Sequence, residues 1–378
     1  MVMARKKVLF LSSWYPNKLD SHLGNFVQRH AEAVQLLNDV EVLYAIGNPE
    51  QKELFVVEDE YINGVRTVIV YYRKTFFPPF NFLRRKRAYR YGFKRMTKPD
   101  IVHGNILQTH VLFARELKEK YGIPYIVTEH WSGLLKANYP SVSSAQKRVV
   151  KLISDKADYL VPVSHALKND MISHGIGKQY AVVGNVVDTS LFTLKKERNA
   201  QPFQFLHVSN LVELKNPDKI IRAAVQVRKT HSNFELWIGG DGETEPLKAL
   251  VQSLNASDYI HLFGKQSLAD VADLMRKSDC FILFSDYENL PCVLLESMST
   301  GTPVIATNVG GVKEIVHSDT GILIAKKEDE LVAAMEKMLT QHDEMFASET
   351  MHQYVEQQFS YLAVSKQFDA IYSKVLSR

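Results

Sequence analysis

Short apolar runs suited to buried strands alternate with amphipathic segments along almost the whole chain, in two consecutive series. The first series is Val8 to Leu11, Val40 to Ala45, Val65 to Tyr72, Ile101 to His103, Tyr125 to Thr128, Tyr159 to Val163 and Tyr180 to Val183. Between the first two runs, Phe26, Val27, His30, Ala31, Val34 and Leu37 recur mostly three or four apart, the spacing of one helix face. The second series is Phe203 to Val208, Glu235 to Ile238, Ile260 to Phe263, Cys280 to Phe284, Val304 to Thr307 and Ile322 to Ile324. Strand and helix in alternation predict a parallel sheet wrapped by helices. From Asn185 to Gln201 the pattern lapses, with a polar run at Lys195, Lys196, Glu197, Arg198 and Asn199. The expectation is an α/β chain of two tandem, doubly wound, Rossmann-like domains, residues 1–188 and 203–358, joined by a linker at 189–202. A length of 378 residues suits two cores better than one.

Charge separates the same halves. Residues 1–200 carry 30 Lys and Arg against 18 Asp and Glu, while residues 201–378 carry 16 against 24. Much of the first excess lies between Arg84 and Lys98, where eight cations occur without one acid, directly after Phe76, Phe77, Pro78, Pro79, Phe80, Phe82 and Leu83. Basic residues beside exposed aromatics can hold a protein at an anionic membrane surface; a solvated helix face beside a core-filling loop is the other reading. No nucleic-acid motif accompanies the charge, so a nucleic-acid partner is not expected. The start, with Arg5, Lys6 and Lys7 ahead of Val8 to Leu11, is too short in apolar length for a signal peptide. It reads as the first buried strand and hence as a cytoplasmic start. Cys280 and Cys292 both fall in apolar runs and suggest neither a disulfide framework nor a zinc site.

In open α/β sheets ligands bind beyond the carboxyl ends of the strands. The run Cys280 to Phe284 leads into the loop Asp286 to Leu290, and Pro291 fits the first turn of a following helix. The start of that helix suits an anion such as a diphosphate. Glu288 lies in the loop, and Glu296 lies about two turns along the helix. The E-x(7)-E spacing of Glu288 and Glu296, the segment Asn289, Leu290, Pro291, the G-x-PVIAT stretch from Gly301 and the pair Gly310 and Gly311 together resemble the signature of glycosyltransferase family 4. The resemblance covers almost the entire chain and is strongest from 203 to 325. It implies the GT-B fold and retaining transfer from a nucleoside-diphosphate sugar. It also implies that residues 359–378, with Leu362, Phe368, Ile371, Tyr372 and Val375 at roughly helical spacing, return to the first domain.

Carried over residue by residue, the resemblance gives Glu288 to the sugar hydroxyls, Glu296 to the ribose and Lys215 to the diphosphate. Where the family usually has an arginine, this chain has Asn210, a neutral donor. Gly240, Asp241 and Gly242 would line the base and ribose pocket, with Phe263 and Gly264 beside the base. In the first domain, Gly24 precedes a helix and His130 ends a strand, both at positions that family members direct towards the donor. His103, His110 and Ser164 are second choices. The chain has no D-x-D triplet, so neither a metal nor another cofactor is expected. The acceptor expected from the family is a glycan or lipid-linked glycan in bacterial polysaccharide or lipopolysaccharide assembly, worked on from the inner face of the membrane. A small hydrophilic acceptor, a sugar-nucleotide 2-epimerase of the same fold and a catalytically silent sugar-nucleotide-binding partner are the alternatives.

Overall fold

The computed structural model describes residues 5–21, 23–196 and 202–377. Contacts divide the chain into one unit of Met1–Val186 with Tyr361–Arg378, and a second of Val187–Ser360. Residues 187 and 188, expected at the end of the first domain, belong to the second unit, and residues 189–196, expected as linker, pack within it: Phe192 is buried, its carbonyl accepts from Ser299 Oγ at 2.6 Å, and Lys195 N donates to the Thr300 carbonyl. The rest of the polar run, residues 197–201, lies outside the described residues.

In the first unit the order is β1 (Lys7–Ser12), α1 (Asn25–Gln35), β2 (Asp39–Asn48), β3 (Phe55–Ile62), β4 (Val65–Arg73), α2 (Pro78–Phe93), β5 (Ile101–Asn105), α3 (Leu112–Tyr121), β6 (Tyr125–Glu129), α4 (Ser144–Ser154), β7 (Tyr159–Pro162) and α5 (His165–Ser173). Its seven-stranded sheet runs β3-β4-β2-β1-β5-β6-β7. β1, β5, β6 and β7 are buried almost throughout, as strands covered on both faces must be. Two sequence expectations fail here. Tyr180 to Val183 is not a strand: it lies along β7 through a few backbone hydrogen bonds but keeps only one isolated bridge, Leu160 to Tyr180. β3 was not anticipated, and it pairs antiparallel to β4. Asn63 and Gly64, both at positive φ, form the tight turn between them.

The second unit contains β8 (Phe203–Ser209), α6 (Pro217–Val227), β9 (Phe234–Gly240), α7 (Glu245–Ser253), β10 (Ile260–Phe263), α8 (Leu268–Lys277), β11 (Cys280–Leu283), α9 (Cys292–Ser299), β12 (Val304–Thr307), β13 (Gly321–Ile324), α10 (Glu328–Met345) and α11 (Ser348–Phe359). Its six strands are parallel in the order β10-β9-β8-β11-β12-β13. The chain then returns to the first unit as α12 (Tyr361–Leu376). Val364, Phe368, Tyr372 and Val375 of α12 share a core with Val27, Ala31 and Val34 of α1. Lys6 Nζ meets Asp369 at 2.6 Å, and Tyr361 donates to Glu32 at 2.8 Å. Leu362, expected on the apolar stripe, is exposed instead. No helix among the described residues is long and apolar enough to cross a membrane.

Candidate active site

The order of the second sheet reverses between β8 and β11, and at such a reversal the loops leaving the two strands diverge and open a crevice. One loop ends in a 3₁₀ turn, Glu213–Lys215, and the other carries Asp286 to Leu290. They are tied by Asp286 N donating to the Leu214 carbonyl at 2.9 Å and Asn216 Nδ2 donating to the Phe284 carbonyl at 3.0 Å. Across the crevice the Lys215 ammonium forms an ion pair with the Glu288 carboxylate, both side chains being more than four-fifths buried. The structure therefore brings together the two charged groups that lie 73 positions apart in sequence.

Gly310, at φ 51°, passes directly over the Glu288 carbonyl, where any Cβ would collide with it. Gly311 N donates to the Asn289 carbonyl at 2.9 Å. The paired glycines thus serve as a backbone lid on the Glu288 loop. Pro291 sits one residue earlier than expected, as the N-cap of α9 with extended ψ of 117°, because the helical turn begins only at Cys292. Leu290 and Pro291 are buried, Asn289 is half-buried, and Glu296 on α9 is only 7% exposed.

Behind the crevice, β9 ends in Gly239 and Gly240 and turns through Asp241 and Gly242. A Cβ on Gly240 or Gly242 would strike the carbonyls of Ser209 or Asn210, so these glycines let two loops touch. Gly239 lies against the Phe263 ring, while Asp241, Gly264 and Asn210 are exposed. The β8 loop is held from below. His207 Nδ1 donates to the Ile282 carbonyl at 2.9 Å, which leaves Nε2 to accept from Ser209 Oγ at 2.8 Å; Ser209 Oγ in turn accepts from Leu211 N at 3.0 Å. That last bond steadies Leu211 at φ 52°, a conformation costly for a side chain with a Cβ. Burial, with Lys215 nearby, lowers the His207 pKa to about 4, so the imidazole is neutral.

The first unit gathers a separate set. Gly24, at φ 75°, caps α1 where a side chain would run into the Trp14 carbonyl. α1 brings Phe26 to 4.5 Å and His30 to 5.2 Å, ring to ring, from His130, the residue just beyond β6. Burial holds the His130 pKa well below its ordinary value, as do His30 and His103, while a hydrogen bond with Asn185 opposes them. A neutral imidazole can donate or accept but brings no charge. Of the second choices, His103 bridges Tyr372 and Thr128 at 2.6 Å each, Ser164 caps α5, and His110 packs against Tyr44 and Tyr89.

Two residues were passed over in sequence. Glu129, fully buried, accepts from Leu107 N at 2.8 Å through one oxygen, and from His130 N at 2.8 Å and Trp131 N at 2.7 Å through the other. It thereby sets the loop after β5 against the end of β6 that carries His130. Its signal was an acid at the end of a wholly apolar run. His207 was likewise an imidazole inside a buried strand.

Residues 23–191 match the family model described as Glycosyltransferase Family 4, and residues 192–358 match the one described as Glycosyl transferases group 1. The chain belongs to the family 4 glycosyltransferases. This glycosyltransferase is 28% identical over 295 residues to the N-acetyl-alpha-D-glucosaminyl L-malate synthase of Bacillus anthracis, covering 73% of this chain and 75% of that protein. Among solved structures, sucrose-phosphate synthase from Thermosynechococcus elongatus is similar with a TM-score of 0.78 at 18% identity, over 99% of this chain and 100% of that one. Anabaena HepE in complex with UDP and glucose reaches 0.75 at 18% identity, over 98% and 100%. The fold is GT-B, two Rossmann-like parallel-sheet domains.

Proposed function

We propose that this glycosyltransferase moves a sugar, with retention of configuration and without a metal, from a nucleoside diphosphate to a glycan or lipid-linked acceptor. The observation that carries the reading is the Lys215–Glu288 pair at the reversal between β8 and β11, beside the amino end of α9. The solved complex of the similar HepE with UDP and glucose supports a nucleotide-sugar donor. Lys215 and the positive end of the α9 dipole hold the diphosphate. Glu296 accepts from the ribose hydroxyls and Glu288 from those of the sugar. Asn210 adds a neutral hydrogen bond where a second cation would otherwise stand, so Lys215 carries most of the charge developing on the leaving group. Gly240, Asp241, Gly242, Phe263 and Gly264 shape the base side, and Asn289, Leu290 and Pro291 hold the diphosphate loop.

As the sugar–phosphate bond breaks, its electron pair leaves with the phosphate oxygen. The acceptor oxygen bonds to the oxocarbenium-like carbon on the same face and gives its proton to that phosphate. Electrostatic stabilisation of the leaving group is the largest contribution, of order several kcal/mol. The ion pair requires that the incoming phosphate share the ammonium with Glu288, loosening this carboxylate towards the sugar. The basic segment Arg84 to Lys98 supports a lipid-linked acceptor, as in polysaccharide or lipopolysaccharide assembly, and a cytoplasmic enzyme working peripherally at the membrane. Incubation of the purified protein with UDP-, GDP- and ADP-sugars, with and without EDTA, tests the chemistry. Slow donor hydrolysis that EDTA leaves intact and Glu288→Ala abolishes is expected. Binding without turnover across the panel would mark a silent binder and overturn the reading.

A further inference from the structure

α2 is packed into the core by only one of its ends, while its start is held through polar bonds, Asn81 with Thr75 and Arg84 donating to the Arg73 carbonyl at 2.6 Å. Ala88, Tyr89 and Gly92 are buried, and Gly92 lies so close to Leu43 of β2 and Val70 of β4 that a Cβ there would collide with both. Its beginning is bare. Phe76 is 99% exposed, Phe80 56%, Leu83 49%, Phe77 44% and Phe82 40%. At roughly 100° per residue, Phe77, Phe80 and Leu83 follow one side, the Phe77 and Phe80 rings lying 5.0 Å apart, while Phe82 lies on the opposite side, towards α3, and Phe76 precedes the helix. A protein face or a nucleic-acid strand would cover one side and leave the others in water. A medium that surrounds the helix end covers them all.

The cations lie immediately behind this aromatic end. Of the eight between Arg84 and Lys98, Lys86 and Arg90 meet Glu116 of α3 at 3.4 and 2.6 Å, and Arg85 donates to Thr109 Oγ1 at 2.6 Å. No ion pair to a described residue is recorded for Arg87 or Lys94, and both are exposed. Between α2 and α3 runs an open groove of about 840 Å³, lined by six Lys and Arg against Glu116 and Glu119 and floored by rings that include Tyr89, Phe93 and Phe113. Its ends reach Thr109 and His110, just beyond the carboxyl end of β5, and Lys120 and Tyr121 at the end of α3.

We propose that the α2–α3 face docks this domain on an anionic phospholipid bilayer. The Phe76 to Leu83 end enters the interface, and the cations behind it, with those of the groove, meet the lipid phosphates. Aromatic side chains belong at that depth, and cations next to them are attracted by the negative surface and screened by salt. The inference deepens the membrane part of the proposed function, on which it rests, and uses no part of the donor chemistry.

Flotation of the full-length protein with phosphatidylcholine vesicles, with and without phosphatidylglycerol, tests it. The protein is expected to float with the phosphatidylglycerol vesicles, to remain behind with phosphatidylcholine alone, and to be released by high salt. Phe76→Ser/Phe80→Ser and Arg87→Glu/Lys94→Glu should each weaken the partition by about tenfold or more. All four side chains are exposed, so unchanged thermal unfolding of both variants separates docking from folding. Failure to float, flotation indifferent to the Phe substitutions, or displacement by a single-stranded oligonucleotide binding through the same residues would overturn the proposal. No nucleotide sugar is present, so either outcome leaves the donor reading to its own assay.

Discussion

A carboxylate that is only an acceptor and an ammonium that is only a donor satisfy each other, and Lys215 and Glu288 are placed so that neither is desolvated alone. On the proposed mechanism Lys215→Ala removes the cation that faces the leaving group and strands Glu288, so kcat is expected to fall about 10²- to 10³-fold. Because the residues act as a unit, Lys215→Ala/Glu288→Ala should cost far less than the product of the single losses, which a double-mutant cycle of initial rates checks. Glu129 makes a prediction in pH. Burial raises its pKa from 4.5 to about 7, against the pull of its three N–H donors. Between those values the folded protein keeps a proton that the unfolded chain has released, so Glu129 favours folding below 4.5 and loses that contribution as pH rises through 7. Once protonated, one oxygen becomes a weaker acceptor for its loop N–H, and its new O–H needs a partner of its own. Turnover should therefore climb through pH 7, and Glu129→Gln should give a lower profile without that limb, read from a pH–rate series.

Among the elements, α9 and the turn over it depend on a single glycine. Gly310→Ala faces a left-handed φ, a cost of about 1–2 kcal/mol, in addition to a collision with the Glu288 carbonyl. The loop must shift, so nucleotide-sugar affinity in calorimetry is expected to weaken together with the melting temperature of the second domain. How legible such elements are depends on which force sets them. The β-runs are set by continuous burial, which apolar composition displays, and all the core strands of both sheets stand where Val8, Tyr125, Phe203 and Val304 indicate them. β3 is half-exposed, with Glu58, Asp59 and Glu60 interrupting its pattern, and only Asn63–Gly64 announced it. Tyr180 to Val183 has strand composition but lies along the edge of β7 with a single bridge and no continuous ladder. At the site, Glu288, Glu296 and Lys215 were legible as local pattern. The Lys215–Glu288 contact, the Glu129 clamp and the His207 relay arise from tertiary packing, which no local window contains.

For the whole molecule, burial depresses the imidazole pKa values in both domains: His30 and His207 fall to about 4, and His103, His110 and His130 lie well below the ordinary range. The unfolded chain takes up protons first as pH drops below about 6.5, so stability is intact above that value and is lost progressively towards pH 4. His30 and His207 each contribute a loss of about 3 kcal/mol across that window. Denaturant titrations between pH 7 and 4 should show it, and His207→Asn should flatten the part belonging to the second domain. In the first domain, Phe368→Ala empties the contact between α12 and α1 and should cost about 3–5 kcal/mol in the same titrations. The antiparallel hairpin bears on how this molecule behaves in a crowd of its own copies. β4 is largely buried apolar backbone, and left open on that side it would be a template for any passing strand. β3 occupies that side and turns outward a row of acids, Glu58 held by Lys18 at 2.7 Å and Asp59 by Arg66 at 2.8 Å. A strand arriving at that edge would have to strip water from these charged side chains and disturb their ion pairs, which makes strand exchange between neighbouring copies unfavourable.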